Sequence, residues 1–257
     1  MTTPTPPLGL CSVTFRGFSA KRVVQVAADA GLSSIEWGAD RHAPPGDRAV
    51  IRQVRELTEA AGLRVASYGS YWRAGVTGLD AASELLDTAR ELGAPRVRVW
   101  AGDTGTTETS AEQRAHVVTE LRRFAGLAAE RGIVAGTEFH GGTLTDSADA
   151  TVRLLEEVNH PNLQTYWQPP VAMPDEEALD GLRLLLARTG VCAVHVFSWW
   201  PETERLPLTD RAALWASALA ELASVGVVPE LLFEFVAGDD PAALVRDASA
   251  LRALSAR

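Results

Sequence analysis

Val134-Ala135-Gly136-Thr137-Glu138-Phe139-His140-Gly141-Gly142 is the stretch on which the fold turns. An apolar run stops at a carboxylate, an imidazole and two glycines, and short apolar runs bounded by glycine read as buried strands. Glu138 then stands at the C-terminal lip of a strand, where a carboxylate is costly to bury without a partner. The figure recurs three times downstream. Residues 163–167 run into Gln168, residues 191–194 into His195, and residues 231–233 into Glu234. Intervals of 30, 27 and 39 residues separate these four polar side chains, which leaves room for one helix between successive strands. Four oxygen and nitrogen donors at successive strand ends suit a hard or borderline divalent ion such as Mn, Mg, Co or Zn. The competing reading gives each residue its own hydrogen-bond partner at the strand lip. Recurrence on four strands in a row favours the metal.

Upstream the same unit repeats. Strands are predicted at 8–13, 33–37, 64–68 and 96–100. Ser19, Ser110 and Ser147 read as helix caps, and Gly31, Gly62, Gly93 and Gly132 as helix stops. Later helices start near Asp175 and Asp210, and Pro241 opens the last one. Eight strand–helix units without a composition break predict a parallel sheet closed into a (β/α)8 TIM barrel, one domain over residues 1–257. Residues 1–7 are expected to form a flexible Pro-rich tail. Closure sets strand eight beside strand one and makes the four donors converge at the C-terminal face, where barrels carry active sites. A doubly wound open sheet competes, but the turn Thr14-Phe15-Arg16-Gly17-Phe18 lacks a Gly-rich phosphate fingerprint.

A formal net charge of −9 argues against a nucleic-acid partner and against an anionic membrane surface. Cys11 and Cys192 both lie inside apolar runs, so neither a disulfide framework nor a cysteine zinc site is expected. Reduced thiols, no signal-peptide pattern at the N-terminus and no membrane-length apolar run together predict a soluble, cytoplasmic protein. A homo-oligomer is compatible with the sequence.

Around the four donors stand candidate substrate contacts. His140 lies two residues past Glu138 and points to the same side while strand geometry lasts; it reads equally as a loop histidine. His42 belongs to the loop 37–47, which either closes over a polyol or forms a rigid surface turn. Tyr68, Tyr71, Trp72, Trp100, Trp167, Trp199 and Trp200 gather near strand ends. Sugar C–H faces pack on such rings, and Tyr68, Trp100 and Trp199 are the candidates for that role. The alternative is that the rings plug the barrel mouth. Glu36 and Arg98 fall within strands and each needs a partner; whether they meet is not legible. His116 and His160 fall at the wrong end for chemistry.

With these residues assembled, the chain resembles the xylose-isomerase-like barrel superfamily, most closely its sugar phosphate isomerase/epimerase branch. The resemblance rests on Glu138-Phe139-His140, Val194-His195-Val196, Phe233-Glu234-Phe235, Ile35-Glu36-Trp37-Gly38 and Arg98-Val99-Trp100-Ala101-Gly102. It implies one divalent ion held by Glu138, Gln168, His195 and Glu234. Gln168 stands where the family usually has Asp, so one negative charge is missing. Weaker ion binding and stronger Lewis acidity toward a carbonyl are the expected consequences.

The resemblance further implies a metal-dependent enzyme acting on a small keto-sugar or polyol through an enediolate. Glu138 and Glu234 serve as the acid/base pair on opposite faces, and isomerisation or epimerisation is the leading outcome. A lyase or dehydratase, eliminating from a 3-keto-glycoside or polyol, uses the same machinery and is the alternative. A metal-free sugar-binding or vestigial protein is the reading from a different class.

Overall fold

The computed structural model describes residues 6–226 and 228–255. Helices begin where short polar side chains satisfy the first free backbone donors. Ser19 accepts from Arg22 N–H, Asp47 from Val50 N–H and Ser147 from Ala150 N–H, while Ser110 and Gln113 form a reciprocal capping box. The strands between them are short, rich in apolar residues and buried over most of their length, as a parallel sheet under helices requires.

The strands are β1 (Leu8–Cys11), β2 (Ser34–Gly38), β3 (Arg64–Arg73), β4 (Arg96–Trp100), β5 (Val134–Thr137), β6 (Leu163–Trp167), β7 (Val191–Val196) and β8 (Glu230–Phe233). They pair in sequence order, all parallel, and β8 bonds back to β1. Around them run α1 (Ala20–Asp29), α2 (Arg48–Ala60), α3 (Asp80–Leu92), α4 (Ala111–Ala129), α5 (Ala148–Val158), α6 (Asp175–Arg188), α7 (Ala212–Ser224) and α8 (Pro241–Ser255). The chain is a single (β/α)8 TIM barrel.

Two strands differ from the sequence expectation. β1 stops at Cys11 because Ser12–Phe15 winds into a 3-10 turn, with the Ser12 hydroxyl accepting from Gly38 N–H. β3 continues to Arg73, which pairs with Trp100 of β4. Residues 1–5 of the expected tail lie outside the described residues; Pro7 already belongs to the barrel, its carbonyl accepting from Leu231 N–H.

One apolar layer fills the space between strands and helices. A second, smaller cluster of Cys11, Val13, Ala66, Tyr166, Cys192, Ala193 and Leu232 fills the barrel interior. Gly136 makes room for this plug, since a Cβ there would lie 2.7 Å from the Tyr166 ring. Above the plug the barrel opens at the C-terminal strand ends. Among the described residues, no helix is long and apolar enough to cross a membrane.

Candidate active site

The floor of the opening is built on an ion pair between strands. Arg98, in the middle of β4, donates from Nε to Glu36 Oε1 of β2 at 3.0 Å and from Nη1 to Glu138. Gly69 of β3 lies between these strands, and a Cβ there would sit 2.8 Å from Glu36 Oε1 and 2.9 Å from Arg98 Nη2. The glycine leaves the space that the pair fills. Ser67 and Tyr166 also donate to Glu36 Oε2, at 2.6 and 3.1 Å. Burial pushes the Glu36 carboxyl up, but the Arg98 guanidinium, His195 and the Ser67 hydrogen bond outweigh it and hold the group at about 2.

Glu138 and Gln168 are the first residues after β5 and β6, Glu234 the first after β8, and His195 the penultimate residue of β7. Glu138 N–H still donates to Val99 O and Glu234 N–H to Val196 O, so the sheet ladder orients both residues as it ends. His195 Nδ1 lies 2.8 Å from Gln168 Oε1 and 3.4 Å from Glu234 Oε2. Its Nε2 is buried without a hydrogen-bond partner among the described residues, 3.8 Å from Glu36 Oε1. Of the four expected donors, Gln168 and Glu234 therefore both meet His195 at Nδ1. Glu138 faces the same cavity with its carboxylate on Arg98.

This donor set fits a divalent cation. His195 Nδ1 has room for one proton yet faces two oxygen acceptors, an arrangement that a shared cation satisfies better than a hydrogen bond. Of the three buried carboxylates here, Glu36 and Glu138 share the Arg98 guanidinium, while Glu234 has, among the described residues, only the His195 ring within ion-pair distance, a setting that a cation would complete. Burial raises the Glu234 carboxyl above its ordinary range; His195 opposes the rise and Glu138 adds to it. Cys11 Sγ is close by, in a cluster with His195 and Glu234 whose potential ligand atoms lie within 4.8 Å of one another. Burial pushes the Cys11 thiol well up, so the sulfur is a protonated neighbour.

Above this floor is a cavity of about 500 Å³. Arg98, Glu138, Gln168 and Glu234 line its base, and Trp100, His140, Trp199, Phe235, Arg16 and Tyr71 its sides. The His140 ring packs on Trp100 at 4.5 Å with Nδ1 2.6 Å from Gly141 O. His42 and Tyr68 are not among the lining residues. His42 lies 3.1 Å from Ser12 Oγ and 3.0 Å from Phe18 O, and the Tyr68 hydroxyl donates to Ala43 O. Both fasten the loop after β2. Trp72 stacks on Phe124 and Trp167 packs edge-on to Trp215 in the core.

Sequence reasoning passed over Arg16 and Ser67, and gave Tyr166 and Cys11 no place in the site. The Ser67 signal is register, since Ser67 pairs with Glu36 across β2 and β3. A bulge between Ile35 and Glu36 hides it from simple alternation.

A curated relative, the 3-dehydroshikimate dehydratase of Bacillus anthracis, is 28% identical over 170 residues, 60% of this chain; the match spans 59% of that relative's length. Among solved structures, the probable 3-DHS dehydratase of petrobactin synthesis from Bacillus anthracis aligns with a TM-score of 0.81 at 19% identity, over 96% of this chain and 98% of that one. A xylose isomerase-like TIM barrel protein from Mycobacterium smegmatis, in complex with magnesium, aligns at 0.75 and 16%, over 100% and 99%. D-psicose 3-epimerase from Clostridium cellulolyticum H10, with D-tagatose, aligns at 0.72 and 16%, over 97% and 98%. At such identities the structures speak for the fold alone. The model of the xylose isomerase-like TIM barrel family matches residues 24–211, and the chain belongs to that family.

Proposed function

We propose that this barrel is a divalent-metal-dependent enzyme that moves a proton next to the carbonyl of a small hydroxy-ketone, a keto-sugar or related polyol. The observation that carries the reading is the convergence of Gln168 Oε1, His195 Nδ1 and Glu234 Oε2 beneath a cavity that also holds Glu138 on Arg98. Gln168, His195 and Glu234 would hold the ion, with Glu138 facing the same space. Bound there, a divalent ion supplies Lewis-acid polarisation of a carbonyl.

The remaining chemistry belongs to the side chains. Glu138 takes the proton from the carbon beside the carbonyl, and Arg98 keeps that carboxylate in place. Glu234 returns a proton to the resulting enediolate, which gives epimerisation or isomerisation. Trp100 and Trp199 pack on the C–H faces of the substrate, and His140 contacts its hydroxyls. D-psicose 3-epimerase, among the structural neighbours, is a protein of this fold that carries out such an outcome.

A second reading ends the same intermediate by elimination. It is favoured by a curated relative that matches in sequence, a 3-dehydroshikimate dehydratase. Turnover in D2O separates the two. Keto-sugars, their phosphates, 3-keto-glycosides and 3-dehydroshikimate form the substrate panel. Deuterium entering the carbon beside the carbonyl, with the carbon skeleton and hydroxyls intact, supports epimerisation or isomerisation. Loss of water or of an aglycone without label return supports the lyase. Full activity in Glu138→Gln or Glu234→Gln would overturn the shared proton-transfer scheme.

A further inference from the structure

Guanidinium groups stand against the aromatic sides of the cavity, and two of them, Arg16 and Arg205, are paired with Asp40 and Asp239. Arg16 Cζ lies 5.6 Å from the Phe235 ring centre, Arg205 Cζ 4.8 Å from the same ring, and Arg73 Cζ 4.0 Å from the Trp100 ring centre. Of these three arginines, Arg16 itself lines the cavity.

Arg16 is the arginine that both lines the cavity and has donors to spare. It follows the 3-10 turn at the end of β1, and its side chain is 48% exposed. Asp40 takes its Nε at 2.8 Å and so fixes one edge of the guanidinium. Nη2 donates to the Tyr71 hydroxyl at 2.7 Å. Nη1 has no hydrogen-bond partner among the described residues. Because the Tyr71 oxygen accepts from Arg16, the hydroxyl hydrogen is left to donate elsewhere. Burial raises the Tyr71 phenol above its ordinary value, which keeps that hydrogen in place at neutral pH.

We propose that Arg16 and Tyr71 form a clasp for an anionic group, a carboxylate or phosphate, on the substrate of this site. The inference rests on the proposed function and narrows its substrate class. Asp40 buttresses the guanidinium from behind, Nη1 and the Tyr71 O–H supply two donors, and the fork geometry suits a planar or tetrahedral oxyanion. The acidic base of the cavity repels the same group. The two ends together fix the substrate's direction, anion toward the rim and hydroxy-ketone toward Gln168, His195 and Glu234.

The test compares three probes on the full-length protein with divalent ion present: neutral D-fructose, D-fructose 6-phosphate and 5-keto-D-gluconate. Dissociation constants come from calorimetry. At least one anionic probe is expected to bind about tenfold more tightly than D-fructose, the scale of a charge-assisted pair of hydrogen bonds. Whichever anion gains identifies the group. Arg16→Gln is expected to erase the preference, Arg16→Lys to keep part of it, and Tyr71→Phe to weaken it.

Equal affinity for all three probes, no binding of any, or a preference that survives Arg16→Gln would overturn the clasp. Divalent-ion titration keeps the two claims apart. Wild-type protein that binds no ion refutes the proposed function, while the anion preference still reads the clasp. Intact ion binding in Arg16→Gln shows that a lost preference is local.

Discussion

Arg98 Nε donates to Glu36 Oε1 across 3.0 Å, with both side chains almost wholly buried. The two residues sit on β4 and β2, and the strand between them yields the space by having Gly69 at that level. The same guanidinium reaches Glu138. A carboxylate at the base of the cavity is therefore positioned from inside the barrel, through a cation that is itself held by Glu36.

Removing Arg98 leaves Glu36 and Glu138 buried and unpaired. Arg98→Met is expected to destabilise the fold by about 3–5 kcal/mol, the cost of breaking a buried pair from one side. Urea unfolding of the two proteins measures it. A loss below about 1 kcal/mol, the size of a surface ion pair, would show that water reaches the site.

Acid stability should report Glu36. Its folded carboxyl sits at about 2, against 4.5 for the free group. A lowered folded value means stabilisation that is complete above 4.5 and is lost as pH falls through that window toward 2. Unfolding followed from pH 5 to pH 2 should steepen below 4.5 in the wild type and less so in Glu36→Gln. Parallel curves for the two proteins would show that other carboxylates set the acid limit.

Both thiols should be silent in the native protein. Burial pushes Cys192 up to about 12 and Cys11 well above its ordinary value, and neither is accessible. At pH 8 a thiol reagent is expected to label no cysteine before unfolding and both afterwards. Fast labelling of one thiol in folded protein would mean that the barrel interior opens.

The barrel was legible because its signals are local. β4 and β6 end where the sequence places them, at Trp100 and Trp167, each apolar run giving way to loop residues. The ends of β1 and β3 were not, because tertiary contacts decide them: Ser12 turns away to cap Gly38, and Arg73 finds Trp100 across the sheet. In the site, the strand-end positions of Glu138, Gln168, His195 and Glu234 follow from the apolar runs before them. What the side chains do there is a matter of register. Arg98 meets both Glu36 and Glu138, so the Glu138 carboxylate is held on the guanidinium while Gln168 and Glu234 meet at His195 Nδ1. The loop that carries His42 reads from sequence either as a closure over a polyol or as a rigid surface turn, and Ser12 and Phe18 lie against both ring nitrogens. Nothing in the spacing of residues 12, 18 and 42 announces that meeting.

Divalent-ion titration of the purified, chelator-treated protein tests the central claim most directly. Calorimetry with Mn, Mg, Co and Zn salts is expected to show one ion bound per chain, with binding lost in His195→Ala and Glu234→Ala. The isosteric Gln168→Glu should tighten it by about tenfold or more, because it adds a buried negative charge beside His195 Nδ1. A protein that binds no divalent ion, or that binds it equally well without His195 and Glu234, would contradict the account.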